Sequence, residues 1–179
     1  MYNLYFASFI LFCSSLVHLY MCLLVFFKTK KRIMSYVFSL LSFTLFCWSF
    51  LYACTYLTKI PIHTLFFTRI LTVPSFFYPS LFLLLAKKFP DEKYKISKKF
   101  VFYHLIFIAL FLTFIFSPAY ISSAALVPQG IQFNIGIIYN LLGLYILSTM
   151  LYGCFILLKK YFYSNKEAKN KILLVGIGV

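Results

Sequence analysis

Five long apolar runs dominate the sequence, and each is about as long as a helix that crosses a bilayer. The runs cover residues 4–27, 33–57, 65–86, 100–117 and 136–158, and a sixth begins at Ile172. A spanning helix uses about 20 mainly apolar residues because the hydrocarbon core is about 30 Å thick. Only 11% of the residues are charged, whereas soluble domains carry roughly 25%. The sequence therefore predicts an all-α, polytopic transmembrane helix bundle.

The basic residues indicate how the chain is oriented in the membrane. Fifteen of the 17 Lys and Arg residues lie in the first, third and fifth connections, at residues 28–32, 87–99 and 159–171. Only Lys59 and Arg69 lie elsewhere. Because basic loops stay on the cytoplasmic side, these three connections are predicted to be cytoplasmic and the N-terminus to be outside. The net charge of +14 therefore indicates membrane loops rather than nucleic-acid binding.

The sixth apolar run has only eight residues before the sequence ends at Val179. Such a run is too short to cross a bilayer. We expect residues 1–179 to hold five complete helices and the start of a sixth, as a domain truncated within helix six. A sixth helix would end outside, so a cytoplasmic C-terminus would require a seventh. The prediction is therefore a fragment of a seven-helix bundle.

Carboxylates are rare and lie outside the apolar runs. The three acidic residues are Asp91, Glu92 and Glu167, and all belong to predicted cytoplasmic connections. Proton pumps and cation-coupled transporters usually place an acid within the membrane, and acid–base catalysis by paired carboxylates needs two that meet. We therefore predict no catalytic residue and no cofactor in this segment.

The cysteines and histidines offer few metal ligands. All five cysteines lie inside apolar runs without a CxxC pair, which favours apolar packing over disulfide or metal chemistry. His18 lies four residues before Cys22 and on the same helical face. This pair fits either a soft-metal site or a histidine hydrogen-bonded to a neighbouring helix, and we predict no metal. His63, in the short outer connection, is either a pH sensor or an ordinary loop residue.

Aromatic residues and one long outer connection suggest where a ligand would bind. Trp48, the only tryptophan, falls within the second run rather than at an interface, so it either packs between helices or stacks on a ligand. The tyrosines that need partners if buried are Tyr52, Tyr56, Tyr78, Tyr139 and Tyr145. Several lie toward the outer half and fit a pocket for a hydrophobic or peptide-like ligand, although composition alone also explains them. The uncharged connection 117–136 is expected to cover the helix ends or dip into the interface.

The third run, FFTRILTVPSFFYPSLFLLLAKKFP, contains one charge and two prolines. Eighteen residues separate Arg69 from Lys87, which at 1.5 Å per residue is about 27 Å and places Arg69 at the outer boundary of the membrane. There Arg69 is predicted to anchor the helix or bind outer-loop carbonyls, with an anionic ligand as the alternative. Pro74 and Pro79 lie centrally and leave carbonyls without N–H donors, so we expect the helix to bend there.

The order of these features along the chain carries a family resemblance. Trp48 lies in the second helix, and Arg69 opens a third helix that continues through Pro79 and FLLLAKKF into a basic loop. A basic linker then enters a glycine-containing sixth helix at residues 169–176, KNKILLVG. In helix order, orientation and Trp–Arg–Pro spacing, nearly the whole chain resembles the N-terminal seven-helix membrane region of bacterial histidine kinases. Related regions also precede diguanylate cyclase domains.

The resemblance implies a signal-sensing input module in the cell inner (cytoplasmic) membrane. Such a module would relay an extracellular or membrane ligand to a cytoplasmic output domain further along the chain and would act as a homodimer. Any enzymatic activity would belong to that output domain, a histidine kinase or a diguanylate cyclase. The candidate ligand-sensing or structural residues are Trp48, Arg69, Pro74, Pro79 and His63. Nucleic acid is not an expected partner.

Two other functions fit the sequence less well. A transporter or channel fragment would show internal repeats, helices broken at matching positions and polar midplane residues, whereas only the third run has midplane prolines. A membrane enzyme or structural protein is the third possibility, but a lipid-modifying enzyme would place His or Asp clusters at the interface. The coding sequence after Val179 separates these alternatives. A sensor predicts a seventh helix and an output domain, and a transporter predicts helices that repeat the first half.

Overall fold

The computed structural model describes residues 2–28, 33–58, 60–90, 97–127, 130–170 and 172. This part of the chain contains six helices of 11 or more residues, and a β-hairpin connects the last two. The elements in chain order are α1 (Tyr2–Lys28), α2 (Ile33–Leu57), α3 (Pro61–Leu71), α4 (Val73–Lys88), α5 (Lys98–Phe114), β1 (Ile121–Val127), β2 (Gly130–Ile135) and α6 (Ile137–Tyr163).

Four helical stretches among the described residues are long and apolar enough to cross a membrane. They are Leu4–Lys28, Ile33–Leu57, Ile62–Lys88 and Ile137–Tyr163. These stretches match the predicted first, second, third and fifth helices and confirm a transmembrane helix bundle. The predicted fourth helix, 100–117, is shorter than expected, because α5 ends at Phe114 after 17 residues and turns follow. Of the predicted sixth helix, only Ile172 lies within the described residues.

The predicted third helix is present as two helices, α3 and α4, within one membrane crossing. α3 ends at Leu71 and α4 begins at Val73, with Thr72 between them. Pro74 lies in the first turn of α4, where a missing N–H costs little because that turn has no acceptor for it. Pro79 lies inside α4 and is buried. The expectation that both prolines lie in mid-helix is therefore corrected: Pro74 begins a helix, and Pro79 interrupts one.

The span formed by α3 and α4 is the most buried of the four, and α4 lies between α2 and α6. On one side, Leu81 of α4 packs in a cluster with Val37 and Leu41 of α2. On the other side, Phe82 packs in a cluster with Leu157 of α6. The helix that contains both prolines is therefore central to the bundle.

Helix α1 packs against α2 and leaves most of its surface exposed. Ser8 Oγ donates a hydrogen bond to the Ala53 carbonyl at 3.1 Å, toward the predicted outer side. Ser39 Oγ donates to the Cys22 carbonyl, also at 3.1 Å, toward the predicted cytoplasmic side. Small polar residues of this kind let membrane helices approach each other closely. The exposed remainder of α1 is rich in Phe, Leu and Tyr, which suits a surface that faces lipid.

The long outer connection contains an antiparallel hairpin that the helical pattern of the sequence did not predict. Gly130, which begins β2, has a φ of 139°, a conformation that residues with a side chain rarely adopt. At the base of the hairpin, the Gly136 N–H donates to the Tyr120 carbonyl at 2.9 Å. Tyr120 and Ile121 are completely buried in the cluster beneath it. The hairpin therefore packs over the outer ends of the helices, one of the two arrangements expected for residues 117–136.

Candidate functional site: a crevice at mid-membrane depth

A crevice of about 260 Å³ lies where α2, α4 and α6 meet. Its lining consists of Thr44, Leu45 and Trp48 from α2, Pro74, Ser75 and Tyr78 from α4, and Ile146 from α6. These positions lie near the middle of their membrane spans, so the crevice is at mid-membrane depth. Trp48 and Pro74, two of the predicted site residues, are thus brought to one place.

The crevice lies beside the break between α3 and α4. Thr72 ends α3 by donating to the Arg69 carbonyl, from Oγ1 at 2.6 Å and from the backbone N–H at 3.2 Å. Further along, Pro79 has no N–H to donate to the carbonyl of Ser75, four residues earlier. The Ser75 carbonyl therefore lacks its helical partner at a position that lines the crevice. Within a membrane, such a carbonyl needs a donor from another source.

Three aromatic rings of α2 connect the crevice with the hairpin. Trp48 stacks on Tyr52 with ring centroids 5.4 Å apart, and Tyr52 meets Tyr56 edge-on at 5.2 Å. Tyr56 Oη lies 3.6 Å from the position that a Cβ would take on Gly130 of the hairpin. Ring pairs of this kind contribute about 0.5–1.5 kcal/mol each beyond their buried area. The outer hairpin and the mid-membrane crevice are therefore joined by one packed column of rings.

Arg69 holds the hairpin and does not line the crevice. Its Nε and Nη2 both donate to the Ile121 carbonyl, at 3.2 and 2.6 Å. This contact is of the kind expected from the sequence, an outer-loop carbonyl bound near the membrane boundary. The alternative, binding of an anionic ligand at the outer face, stays a prediction.

Beneath the hairpin, Tyr120 is fully buried and packs against Phe76 and Tyr139, with ring centroids 6.3 and 5.6 Å apart. Its hydroxyl lies near Thr72 but makes no hydrogen bond of ordinary geometry with any residue that the structure describes. Burial raises the pKa of the Tyr120 phenol well above its ordinary value. The phenol is therefore neutral, and the region under the hairpin holds no charge from it.

Helices α4 and α6 are in close contact below the crevice. Ser80 and Tyr145 share a hydrogen bond of 2.6 Å. About two turns further along α6, a Cβ added to Gly153 would lie 2.6 Å from Phe82 Cε1 of α4. The two helices approach this closely because residue 153 has no side chain. Sequence reasoning did not single out Gly153, although a lone small residue in an apolar helix is a recognised signal of close helix packing.

Lys160 connects the same two helices at their cytoplasmic ends. Its Nζ donates to three carbonyls at the end of α4, at 2.9, 2.7 and 2.6 Å: those of Ala86, Lys87 and Phe89. A cation at this position also interacts favourably with the negative end of the helix dipole. Sequence reasoning counted Lys160 only as a cytoplasmic loop charge. Its partners were not predictable because they lie more than 70 residues away.

The remaining sequence candidates lie apart from the crevice lining. His63 is exposed near the start of α3, at the predicted outer side. His18 is half-buried, and Cys22 Sγ lies 3.2 Å from the Ser39 hydroxyl. Within the described ranges, no group of three or more His, Cys, Asp and Glu residues is placed to hold a metal ion. The roles of all five predicted site residues in sensing stay predictions.

A larger space, of about 580 Å³, lies between α5 and α6. Its lining is apolar, with residues such as Phe111 and Leu144, and Ser148 stands at its polar edge. None of the five predicted site residues lines it. We take the smaller crevice as the candidate site because Trp48 and Pro74, two of the five predicted site residues, line it.

A bundle of membrane-spanning helices defines a polytopic membrane protein, and the uncharged crevice at mid-depth leaves room for a ligand among its helices. The chain belongs to the family described as the N-terminal 7TM region of histidine kinase, whose family model matches residues 10–179. This match confirms the resemblance noted from the sequence and identifies the chain as a sensing input module located in a membrane. No curated protein and no solved structure matches the chain.

Proposed function

We propose that this module senses a ligand in the crevice and relays the stimulus through α4 and α6 to a cytoplasmic output domain, such as a histidine kinase. One observation carries the proposal. Trp48 and Pro74 line a single crevice beside the α3–α4 break, and below it α4 is in close contact with α6. A ligand in this crevice would touch α4, and α4 makes both contacts with α6: the Ser80–Tyr145 hydrogen bond and the packing of Phe82 on Gly153.

The break at Thr72 provides a point about which α4 can tilt. Arg69 connects α3 to the hairpin, whereas α4 begins anew after Thr72. We infer that α4 changes its angle while α3 and the hairpin stay in place. Because a hydrogen bond and a close glycine contact join α4 to α6, the movement passes to α6. It reaches the cytoplasmic side at Lys160, close to the end of α6.

The energetic demand on a ligand is modest. Signalling requires two arrangements of the bundle that differ by a few kcal/mol, and a ligand shifts their balance only by its difference in affinity for the two. A tenfold shift needs about 1.4 kcal/mol. One net hydrogen bond is worth about 1 kcal/mol and one stacked ring pair about 0.5–1.5 kcal/mol. A small molecule in the crevice therefore suffices.

The cellular setting completes the proposal. The protein would lie as a multi-pass protein in the cell inner (cytoplasmic) membrane, with its basic connections in the cytoplasm. Its ligand would come from the outside or from the membrane, and its output domain would follow in the same chain. The module would act as a homodimer, as the family resemblance implies, and α1 exposes large apolar side chains such as Phe6 and Phe9. Lipid or a second copy would cover these side chains.

Two glycines of α6 offer a matched test of the relay. Gly153→Ala places a methyl group against Phe82, whereas Gly143→Ala places one where nothing lies within 4 Å. Overpacking of this kind costs about 1–3 kcal/mol, which is fivefold or more in an equilibrium between two states. We expect Gly153→Ala to change the autophosphorylation rate of the full-length protein in membrane vesicles by roughly that factor, and Gly143→Ala to leave it unchanged. Equal rates in both variants would contradict the relay.

A transporter is the second candidate, and the broken α3–α4 span favours it. Transporters commonly form substrate sites at broken helices near the midplane, usually in pairs related by an internal repeat. The described residues contain one such span and no matching second one. Uptake of a crevice-binding molecule by proteoliposomes would support transport, and binding without uptake would support sensing.

A further inference from the structure

The crevice has room for a small ring system. An internal cavity of about 150 Å³ is enough to hold benzene. The crevice offers about 260 Å³, so a molecule of one or two aromatic rings fits. A larger amphiphile would have to leave part of itself outside, between the helices and the lipid.

The charge of the lining limits the ligand further. The crevice is lined by apolar or uncharged polar side chains only, and the Arg69 guanidinium is engaged with the Ile121 carbonyl. No Lys, Arg, Asp or Glu occurs between residues 100 and 158, which include all of α6 that borders the crevice. An ion placed there without a partner would lose its hydration at great cost. The ligand is therefore uncharged.

The hydrogen-bonding groups indicate which polar atom the ligand carries. The Ser75 carbonyl is an acceptor without its helical donor, because residue 79 is proline. The Thr44 hydroxyl donates to its own helix, to the Leu41 carbonyl at 2.7 Å, and so does not serve Ser75. A hydrogen-bond donor on the ligand would pair with this carbonyl, since a backbone acceptor inside a membrane needs a donor from the protein or its ligand.

Trp48 provides the surface on which a ring would rest. It packs on Tyr52 and also borders the crevice, and 38% of its surface is exposed. Aromatic rings pack favourably on such a surface in offset or edge-on arrangements. Tyr78, across the crevice, offers a second ring.

We propose, building on the sensing function above, that the crevice binds a small uncharged aromatic molecule with one hydrogen-bond donor, which donates to the Ser75 carbonyl and packs on Trp48. Phenols and indoles have this chemistry. Purely apolar rings and the acyl chains of lipids differ from phenols and indoles because they have no hydrogen-bond donor.

Phenol and anisole form a suitable pair of probes, because they differ in replacing the O–H donor with O–CH₃. The full-length protein is reconstituted in lipid nanodiscs, and each probe is titrated while tryptophan emission is recorded. A Trp48→Phe preparation is the spectral blank, so that the difference reports Trp48 alone. The ratio of the half-saturating concentrations of the two probes measures the contribution of the donor together with membrane partitioning.

Pro79→Ala tests the contribution of the donor, because it restores an N–H for the Ser75 carbonyl and residue 79 does not itself line the crevice. We expect it to reduce the preference for phenol over anisole by about fivefold, the equivalent of one net hydrogen bond. The partitioning of the probes into the membrane cancels in this comparison, because the parent protein and the Pro79→Ala variant lie in the same lipid. Ser75→Ala is the control: it removes the hydroxyl but keeps the carbonyl, so its preference should match that of the parent protein.

Two outcomes would overturn the inference. An unchanged preference in Pro79→Ala would exclude the Ser75 carbonyl as the acceptor, and no change of Trp48 emission with either probe would show that neither probe binds beside Trp48. The outcome of this titration does not depend on whether movement of α4 is relayed to α6. Phenol binding without any effect on autophosphorylation would refute the proposed function alone, and an effect of Gly153→Ala without phenol binding would refute this inference alone.

Discussion

Arg69 donates two hydrogen bonds, from Nε and Nη2, to the carbonyl oxygen of Ile121. The two residues are 52 positions apart, and Ile121 is the first residue of the hairpin. A single charged side chain of α3 thus connects the helix to the outer hairpin. This relationship explains how a charge is accommodated in an apolar span: it lies near the predicted outer end, and a backbone carbonyl accepts its hydrogen bonds.

Replacing Arg69 with Ala should loosen the hairpin. Hydrogen bonds from charged groups contribute about 1.5–3 kcal/mol. We therefore expect amide hydrogen exchange in β1 and β2 to accelerate roughly ten- to a hundredfold in the variant. Arg69→Lys is the control, because one donor remains and the effect should be smaller. Identical exchange in Arg69→Ala and the parent protein would show that the hairpin is held by its apolar contacts alone.

Lys160 should stabilise the bundle more than its sequence neighbour does. Lys160→Met removes the donor to the α4 carbonyls, whereas Lys159→Met removes an exposed charge from the same turn. A cation at a partly buried helix end contributes up to about 2 kcal/mol, or roughly 4–8 °C in Tm for a chain of this size. We expect the Tm measured in nanodiscs to fall by that amount for Lys160→Met and to change little for Lys159→Met. Equal Tm values would contradict the importance of this contact.

Replacing both Pro74 and Pro79 with Leu should join α3 and α4 into a stiffer helix. Pro79 lies inside α4, where proline is about 3 kcal/mol less favourable than Ala, so the double variant should form a more continuous helix. It should also respond less to a stimulus, because α4 would lose its independent start. Pro118→Leu, at an exposed turn, is the control. A full signalling response of the double variant in the full-length protein would refute a moving part at the break.

Tyr120→Phe should stabilise the hairpin or leave it unchanged. The change removes a buried hydroxyl without a hydrogen bond, a group whose burial costs about 1–3 kcal/mol. Burial also raises the pKa of this phenol in the folded protein. Below the ordinary tyrosine pKa of about 10, the phenol is protonated in both the folded and the unfolded protein. Above it, the unfolded protein loses the proton first, so the stability of the parent protein falls as the pH rises. We expect Tm to fall less in Tyr120→Phe than in the parent protein between about pH 9 and pH 11.

The predicted orientation can be tested by labelling single cysteines from outside the cell. Ser123→Cys lies on the hairpin and Ser97→Cys lies just before α5, and both positions are exposed. A membrane-impermeant thiol reagent should react with the first and not with the second, because the basic connections are cytoplasmic. The native cysteines are first replaced by serine. Labelling in the reverse order would overturn the orientation.

How far the sequence predicted the site can be judged from individual residues. It placed Arg69 at the membrane boundary and named the kind of partner, since depth follows from counting residues along a helix. It did not identify Ile121, because that contact depends on a hairpin whose position is not encoded in a helical pattern. It marked Pro74 and Pro79 as special but treated them alike. Whether a proline begins a helix or interrupts one depends on where the preceding helix ends.

The sequence by itself determined the membrane environment, the approximate position of each span and the family. These properties follow from apolar length and from the placement of charges and motifs, which are read locally along the chain. Only the tertiary structure decided that Trp48, Pro74 and Ser75 share one crevice. That outcome depends on which faces of α2, α4 and α6 meet, and contacts between distant residues, such as Gly153 with Phe82, set those faces.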